Sequence, residues 1–250
     1  MEKQNKLSKN RSICELLAPA GSKEAFIAAI ESGADAVYAG GNLFNARINA
    51  QNFELAELEE AVCFAHKRNV KVYITINILL KDEELQEALE YAKRLYEMGV
   101  DAIIVQDIGF ANLIRNYLPG FELHLSTQAS VFDKDGVIQA MELGFSRVVP
   151  ARELSIDEIE ALCRETPCEI EVFCHGAICV CYSGQCQMSR YIGGRSGNRG
   201  ACAQPCRLQY KSLDEYGEIK ETSILSPSDM SMIDHLDKLC EAGVHSLKIE

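Results

Sequence analysis

The sequence contains no tryptophan, and none of its apolar runs approaches the eighteen or so residues a membrane-spanning helix needs. Its first residues, Met-Glu-Lys-Gln-Asn-Lys-Leu-Ser-Lys-Asn-Arg11, carry no apolar stretch of the kind that exports a protein. A cytoplasmic location is therefore expected, where thiols stay reduced. Hydrolase signatures are missing too: there is no His-Glu-x-x-His and no Gly-x-Ser-x-Gly. No nucleotide-type glycine fingerprint follows any apolar run. One absence is local. From Val172 to Leu213 there is not a single Asp or Glu, although the whole chain has a formal net charge of −12. Arg190, Arg195, Arg199, Arg207 and Lys211 fall in that acid-free stretch. The overall acidity argues against broad, nonspecific duplex binding, which needs many cations facing phosphates. It leaves room for an RNA that meets only the basic segment.

Cysteine is what the chain has in abundance. Six of its eleven cysteines lie between Cys174 and Cys206. Glycines flank them, so the backbone can bend closely around a bound object. In a reduced compartment, with an odd cysteine count, disulfides explain such a cluster less well than a metal or redox role. Cys179 and Cys186 each lie close to a glycine, and Cys202 and Cys206 are spaced C-x₃-C. Four thiolates suit zinc or an iron–sulfur cluster. The C-x₆-C spacing of the first pair is poor for a zinc knuckle and acceptable for a cluster. The radical-type C-x₃-C-x₂-C triplet is absent. Iron–sulfur is preferred to zinc, with core cysteines that hold no metal a third reading. Cys174 and Cys181 are read as packing residues or neighbours of the cluster.

The 250-residue chain is 47% hydrophobic and 25% charged, ordinary for a folded domain with a sizeable core. A short pattern returns at Gly33, Gly99, Gly144 and Gly243. Each glycine follows a helical stretch, in the position that ends a helix in the left-handed conformation. A short apolar, β-rich run comes next, as expected of a buried parallel strand. Eight such runs are predicted: Glu15–Ala20, Ala36–Gly40, Lys71–Asn77, Ala102–Asp107, Glu122–Gln128, Arg147–Ala151, Glu169–Phe173 and Ser246–Glu250. The clearest helices between them are Ser22–Ser32, Leu55–Arg68, Asp82–Met98, Ile156–Arg164 and Asp229–Ala242, with Asp82 and Ser155 as N-caps. Alternating strands and helices predict an α/β fold, a (β/α)₈ TIM-type barrel, with an open doubly wound sheet as the alternative. Residues 1–13 read as a flexible tail, 14–250 as the barrel domain, and 174–227 as a cysteine-rich insertion after strand 7, too long for an ordinary βα loop. The chain stops in its eighth strand and is expected to be a fragment of a longer protein.

In a barrel the C-terminal strand ends share one rim, where active sites of this fold form. Asn77, Gln106, Asp107, Ser126, Gln128, Arg152, Glu153, His175, Lys248 and Glu250 are the polar residues expected there. Cys174 and His175 are adjacent on a strand and point to opposite faces, so they do not make a nucleophile pair.

The stretch Glu171-Val-Phe-Cys-His-Gly-Ala-Ile-Cys-Val-Cys-Tyr-Ser-Gly-Gln-Cys-Gln-Met-Ser189 resembles the signature of the collagenase-like peptidases, the unclassified "U" type. Glu15-Leu-Leu-Ala-Pro-Ala-Gly21, Gly33-Ala-Asp-Ala-Val-Tyr38, Ser126-Thr-Gln-Ala129 and Ser246-Leu-Lys-Ile-Glu250 support it. The resemblance implies a hydroxylase of the branches that modify a tRNA uridine, an rRNA cytidine or the ubiquinone ring. It implies a 4Fe–4S cluster on Cys179, Cys186, Cys202 and Cys206, with prephenate as a possible co-substrate and a redox partner not identified. Asn45-Ala-Arg47, Gly194-Arg-Ser-Gly-Asn-Arg-Gly200 and Gln204-Pro-Cys-Arg207 look most like the ribosomal-RNA branch. The nearness of Cys206 departs from the ubiquinone branch, whose fourth ligand lies much further on. On this reading His175, Asn77, Gln128 and Glu171 are candidate catalytic residues. Arg47, Arg190, Arg195, Arg199, Arg207 and Lys248 are candidates for binding RNA phosphates or a dicarboxylate. Two alternatives stand beside it: peptide-bond hydrolysis, as the family name says, and a non-enzymatic, cluster-bearing partner protein.

Overall fold

A computed structural model describes residues 14–46, 52–213, 217 and 219–250. The expected tail 1–13 and Arg47 lie outside the described residues. The chain runs β1 (Glu15–Ala20), α1 (Lys23–Glu31), β2 (Ala36–Gly40), α2 (Leu55–His66), β3 (Lys71–Ile76), α3 (Leu85–Glu97), β4 (Ala102–Val105), α4 (Ile108–Tyr117), β5 (Glu122–Leu125), α5 (Lys134–Glu142), β6 (Arg147–Val148), α6 (Ile156–Glu165) and β7 (Glu169–Gly176). It continues through α7 (Met188–Gly193), the hairpin β8 (Tyr210–Leu213) and β9 (Ile219–Thr222), then β10 (Met230–Ser231), α8 (Leu236–Glu241) and β11 (Ser246–Ile249).

Eight parallel strands close into a ring in the order β1, β2, β3, β4, β5, β6, β7, β11. Glu15 pairs with Ser246 at one seam, and Arg147 pairs with Glu169 at another. This is the expected (β/α)₈ barrel, with β10 lying antiparallel on β7 outside the ring. Strands such as Val72-Tyr-Ile-Thr-Ile76 and Ala102-Ile-Ile-Val105 are buried on both faces, which is why they read as continuous apolar runs. The four recurring glycines end α1, α3, α5 and α8 with φ between +82° and +97°, a conformation that penalises any side chain.

Two apolar cores result. One lies between barrel and helices. The other is a plug inside the ring made by Leu17, Ala36, Tyr73, Ala102 and Ile104. At the strands' N-terminal ends, below the plug, the interior is ionic. Arg147 donates to Glu15 at 2.6 Å, to Glu169 at 2.7 Å and to Glu171 at 3.1 Å. Space above the plug is left for a site.

Several elements differ from expectation. Strand pairing at Arg147–Ala151 is confined to Arg147–Val148, after which the chain turns toward the rim. The segment expected as the helix Asp229–Ala242 is helical only from Leu236. Met230 and Ser231 instead pair with Gly176 and His175, and Met232 N–H bonds the Cys174 carbonyl. Asp82 is not a cap: it opens a 3₁₀ turn whose flanking Lys81 N–H is bonded by Glu84 at 2.8 Å. Ser155 does cap α6, accepting from Glu158 N–H while the Glu158 carboxylate accepts from Ser155 N–H. Helices α4 and α5, not among the clearest in sequence, start at the N-caps Asp107 and Asp133.

Candidate functional site at the barrel mouth

Two cavities meet at the C-terminal rim. The lower, about 130 Å³, sits in the barrel mouth above the plug, against Tyr38, Thr75, Asn77, Ile104, Phe173 and Lys248. The upper, about 510 Å³, lies between the rim and the insertion. Ala46, Thr127, Gln128, Arg152 and Glu250 line both, so the two are continuous.

Cys179, Cys186, Cys202 and Cys206 all line the upper cavity. None of the eleven cysteines is in a disulfide. The backbone explains how residues so far apart in sequence come together. Gly197 packs between two of them: a Cβ there would stand 3.7 Å from Cys202 Cβ and 3.9 Å from the Cys186 carbonyl. Cys179 faces the open cavity, yet protein atoms crowd it. That burial raises its thiol above the ordinary value, opposed by Arg152 and reinforced by Glu250, Cys186 and Cys202. Among the described residues no three His, Cys, Asp or Glu side chains are close enough to share one metal ion. The four thiols thus face one wide space without meeting at a point. Cys174 is a packing residue of the barrel–helix core, and Cys181 is half-buried.

The insertion is pressed onto the rim by close backbone approaches. A Cβ on Gly184 would lie 2.0 Å from the Gln128 carbonyl, and one on Gly200 would lie 2.5 Å from the Asn45 carbonyl. Polar ties add to this. Leu79 N–H bonds the Asn198 carbonyl, Asn198 Nδ2 donates to the Gly184 carbonyl at 2.7 Å, and Ser183 N–H donates to Glu153 at 2.8 Å.

The sequence-predicted site residues separate into groups. Asn77 and Gln128 reach the mouth; Asn77 Oδ1 accepts from Ala46 N–H at 2.9 Å. Lys248 is there too, its ammonium 2.8 Å from Glu171 and 4.3 Å from the centre of the Tyr38 ring. Glu171 is wholly buried and lines neither cavity. Burial alone would raise its carboxyl, but Lys248 and Arg147 outweigh that and hold it below the ordinary range. Glu171 is therefore a residue that positions Lys248, not one that meets a ligand. His175 is exposed and lines neither cavity; its carbonyl accepts from Glu250 N–H, so the structure does not bring it to the site.

Two of the expected ligand-binding arginines have structural work instead. Arg199 forms a two-pronged pair with Glu84 at 2.6 and 2.9 Å and also bonds the Leu79 carbonyl. Arg207 lines the upper cavity but donates to Ser226 Oγ and to the carbonyls of Pro227 and Ile178. Arg190 and Arg195 are exposed, and their guanidiniums donate to the Gly194 and Ala201 carbonyls respectively. Missing from the expected ligand-binding set was Arg152. It pairs with Glu250 at 2.6 Å, stacks 3.8 Å over the Phe173 ring and donates to the Ala177 carbonyl. Its place just past an apolar run was the available signal.

The sequence pattern of Peptidase family U32 matches residues 21–250. A 23S rRNA 5-hydroxycytidine C2501 synthase of Escherichia coli is 44% identical over 238 residues, covering 94% of this chain and 36% of that protein. A tRNA hydroxylation protein P1 of Bacillus subtilis is 41% identical over 244 residues, covering 94% and 58%. A collagenase of Porphyromonas gingivalis is 34% identical over 252 residues, covering 94% and 60%. The chain thus spans less than two thirds of the length of each of these relatives. The solved structure of the U32 peptidase Mk0906 superposes with a TM-score of 0.62 at 13% identity, covering 95% of this chain and 92% of that one, a likeness of fold.

Proposed function

The chain belongs to peptidase family U32, and from that premise we propose that it is an iron–sulfur-dependent RNA hydroxylase acting on a pyrimidine of ribosomal or transfer RNA. The observation that carries this reading is the convergence of Cys179, Cys186, Cys202 and Cys206 on one cavity that opens directly onto the barrel mouth. The names of the E. coli and B. subtilis relatives supply the reaction class.

The donor set fits a cluster. A single zinc ion needs four sulfurs at about 2.3 Å from one centre, and here no three candidate ligands share a point. A 4Fe–4S group, each of whose irons takes one thiolate, suits sulfurs spread around a wide cavity. When bound, it supplies one-electron redox chemistry. The chain's own residues do the rest. Insertion and rim form the walls of the space. Lys248, fixed by Glu171, presents a cation in the mouth. Arg190 and Arg195 are the exposed guanidiniums suited to RNA phosphates or to the carboxylates of prephenate, the proposed co-substrate. Peptide hydrolysis, the activity in the P. gingivalis relative's name, would require an activated nucleophile. Cys174 is buried in the core, and His175 lies outside both cavities.

Two measurements test the proposal. Anaerobically purified protein should carry about four irons and four sulfides per chain, and Cys186→Ser should lose most of both. Stoichiometric zinc without iron overturns the cluster. Deleting the gene should remove a hydroxyl from a pyrimidine of rRNA or tRNA, read by mass spectrometry of nuclease fragments, and Cys179→Ala should not restore it. RNA unchanged by the deletion overturns the reaction.

A further inference from the structure

We infer that the barrel mouth is a pocket for one extruded pyrimidine base, whose polar edge is read by Gln128 and Arg152. The inference rests on the RNA-hydroxylase reading and adds to it where the base goes and what selects it.

Size comes first. The mouth holds about 130 Å³. A dry protein cavity of about 150 Å³ takes one benzene, so the mouth suits one six-membered ring and little more. A phosphate-bearing strand does not fit behind the rim. A base reaches this depth only by leaving its stack, as in other enzymes that act on base atoms. Tyr38 and Phe173 give the space aromatic walls, and Ile104 gives it an apolar floor.

Charge decides between a neutral ring and a small anion. Among the described residues both cations lining the mouth are already matched, Lys248 by Glu171 at 2.8 Å and Arg152 by Glu250 at 2.6 Å. A dicarboxylate would enter a site whose positive charges are already neutralised. A neutral heterocycle meets no such obstacle.

Hydrogen bonding gives the recognition. Among the described residues few buried polar side-chain atoms lack a hydrogen-bond partner; of those at residues lining both cavities, Glu250 Oε2 is ion-paired with Arg152 at 2.6 Å, which leaves Gln128 Oε1, an acceptor, and Arg152 Nε, a donor. Buried polar atoms are ordinarily satisfied, and leaving them unsatisfied is costly. A pyrimidine's pairing edge carries the complement: a carbonyl acceptor beside the N3–H donor in uracil, and the N3 acceptor beside the amino donor in cytosine. Gln128 is held ready by its own backbone. Its carbonyl accepts from Gln106 Nε2 at 3.2 Å, and Gly184 packs against that carbonyl so tightly that a side chain there is excluded. Because Gln128 and Arg152 lie where the cavities join, a ring bound to them faces the four cysteines.

The test is binding of free nucleosides to the purified protein, followed by ligand-observed NMR with cytidine, uridine, adenosine and prephenate. Cytidine or uridine should bind and adenosine should not. Gln128→Leu, which keeps the bulk and loses the acceptor, should weaken binding about tenfold. Gln128→Glu, which keeps acceptor oxygens, should weaken it much less, and this contrast separates recognition from bulk. Should Gln128→Leu fail to fold, Gln128→Asn, which withdraws the same amide, takes its place. Equal binding of adenosine, wild-type affinity in Gln128→Leu, or displacement of the nucleoside by prephenate overturns the inference. RNA mass spectrometry of the deletion strain keeps the two claims apart. Hydroxylation lost with no nucleoside selectivity sinks the pocket alone; hydroxylation intact sinks the premise beneath it.

Discussion

Lys248 places its ammonium between a fully buried carboxylate and the face of an aromatic ring. Removing Glu171 would leave that ammonium and the Arg147 guanidinium short of a counter-charge inside the barrel. Breaking such a pair from one side costs about 3–5 kcal/mol. Glu171→Gln should therefore lower unfolding free energy by about that much in urea titrations, with iron content per folded chain unchanged. The arginines allow a second residue-level prediction. A side chain that neutralises a phosphate contributes about one to the slope of log affinity against log salt. Arg190→Ala should reduce the slope for RNA by about one, whereas Arg199→Ala should leave it unchanged, because its guanidinium is occupied by Glu84 and the Leu79 carbonyl. Equal slope changes in both variants would contradict these assignments.

At the scale of elements, the insertion is a lid seated by glycines. Gly184 has φ +77° and no room for a Cβ against the Gln128 carbonyl. Gly184→Ala should lift the cysteine-rich segment from the rim while the barrel stays folded. Hydrogen exchange should then speed up in residues 177–209, iron should be lost, and far-UV circular dichroism should hardly change. Protection equal to wild type in that segment would refute the seating role. Much of this level was legible in sequence. A glycine before four of the eight apolar runs reported helix end and strand start, and the acid-free stretch around Cys174–Cys206 marked the insertion. Other features were not legible because they depend on partners distant in the chain. Arg199 and Glu84 are 115 positions apart, so nothing in the local pattern showed that this arginine was already engaged. Asp229–Ala242 has helical composition, yet β7 offers Met230 and Ser231 a strand edge, and tertiary pairing overrides local preference. Glu171 belongs to a signature-like motif, but only burial shows that it acts through Lys248.

Over the whole molecule, the barrel is closed at its floor by charge. Glu15 of β1, Arg147 of β6, and Glu169 and Glu171 of β7 join strands there, and Glu171 links this floor to Lys248 of β11 in the mouth. This makes stability depend on pH with a definite sign. Burial pushes the carboxyls of Glu15 and Glu171 up, but their cationic and hydrogen-bonding partners outweigh it and set both below the ordinary 4.5. A group depressed on folding contributes stability that is complete above its unfolded value and is lost as pH falls toward and through the folded one. His124 is buried beside Tyr73, Glu122 and Arg147, and burial holds its imidazole below the ordinary 6.5. Folding favours its neutral form, so its contribution is also lost on acidification, but starting earlier. Urea midpoints should therefore be flat above about pH 7, decline gently below 6.5 as His124 is driven to charge, and fall more steeply below 4.5 as Glu15 and Glu171 protonate. His124→Asn, which cannot titrate, should abolish the gentle limb and keep the steep one. A gentle limb that persists in the variant would show that some other group drives it.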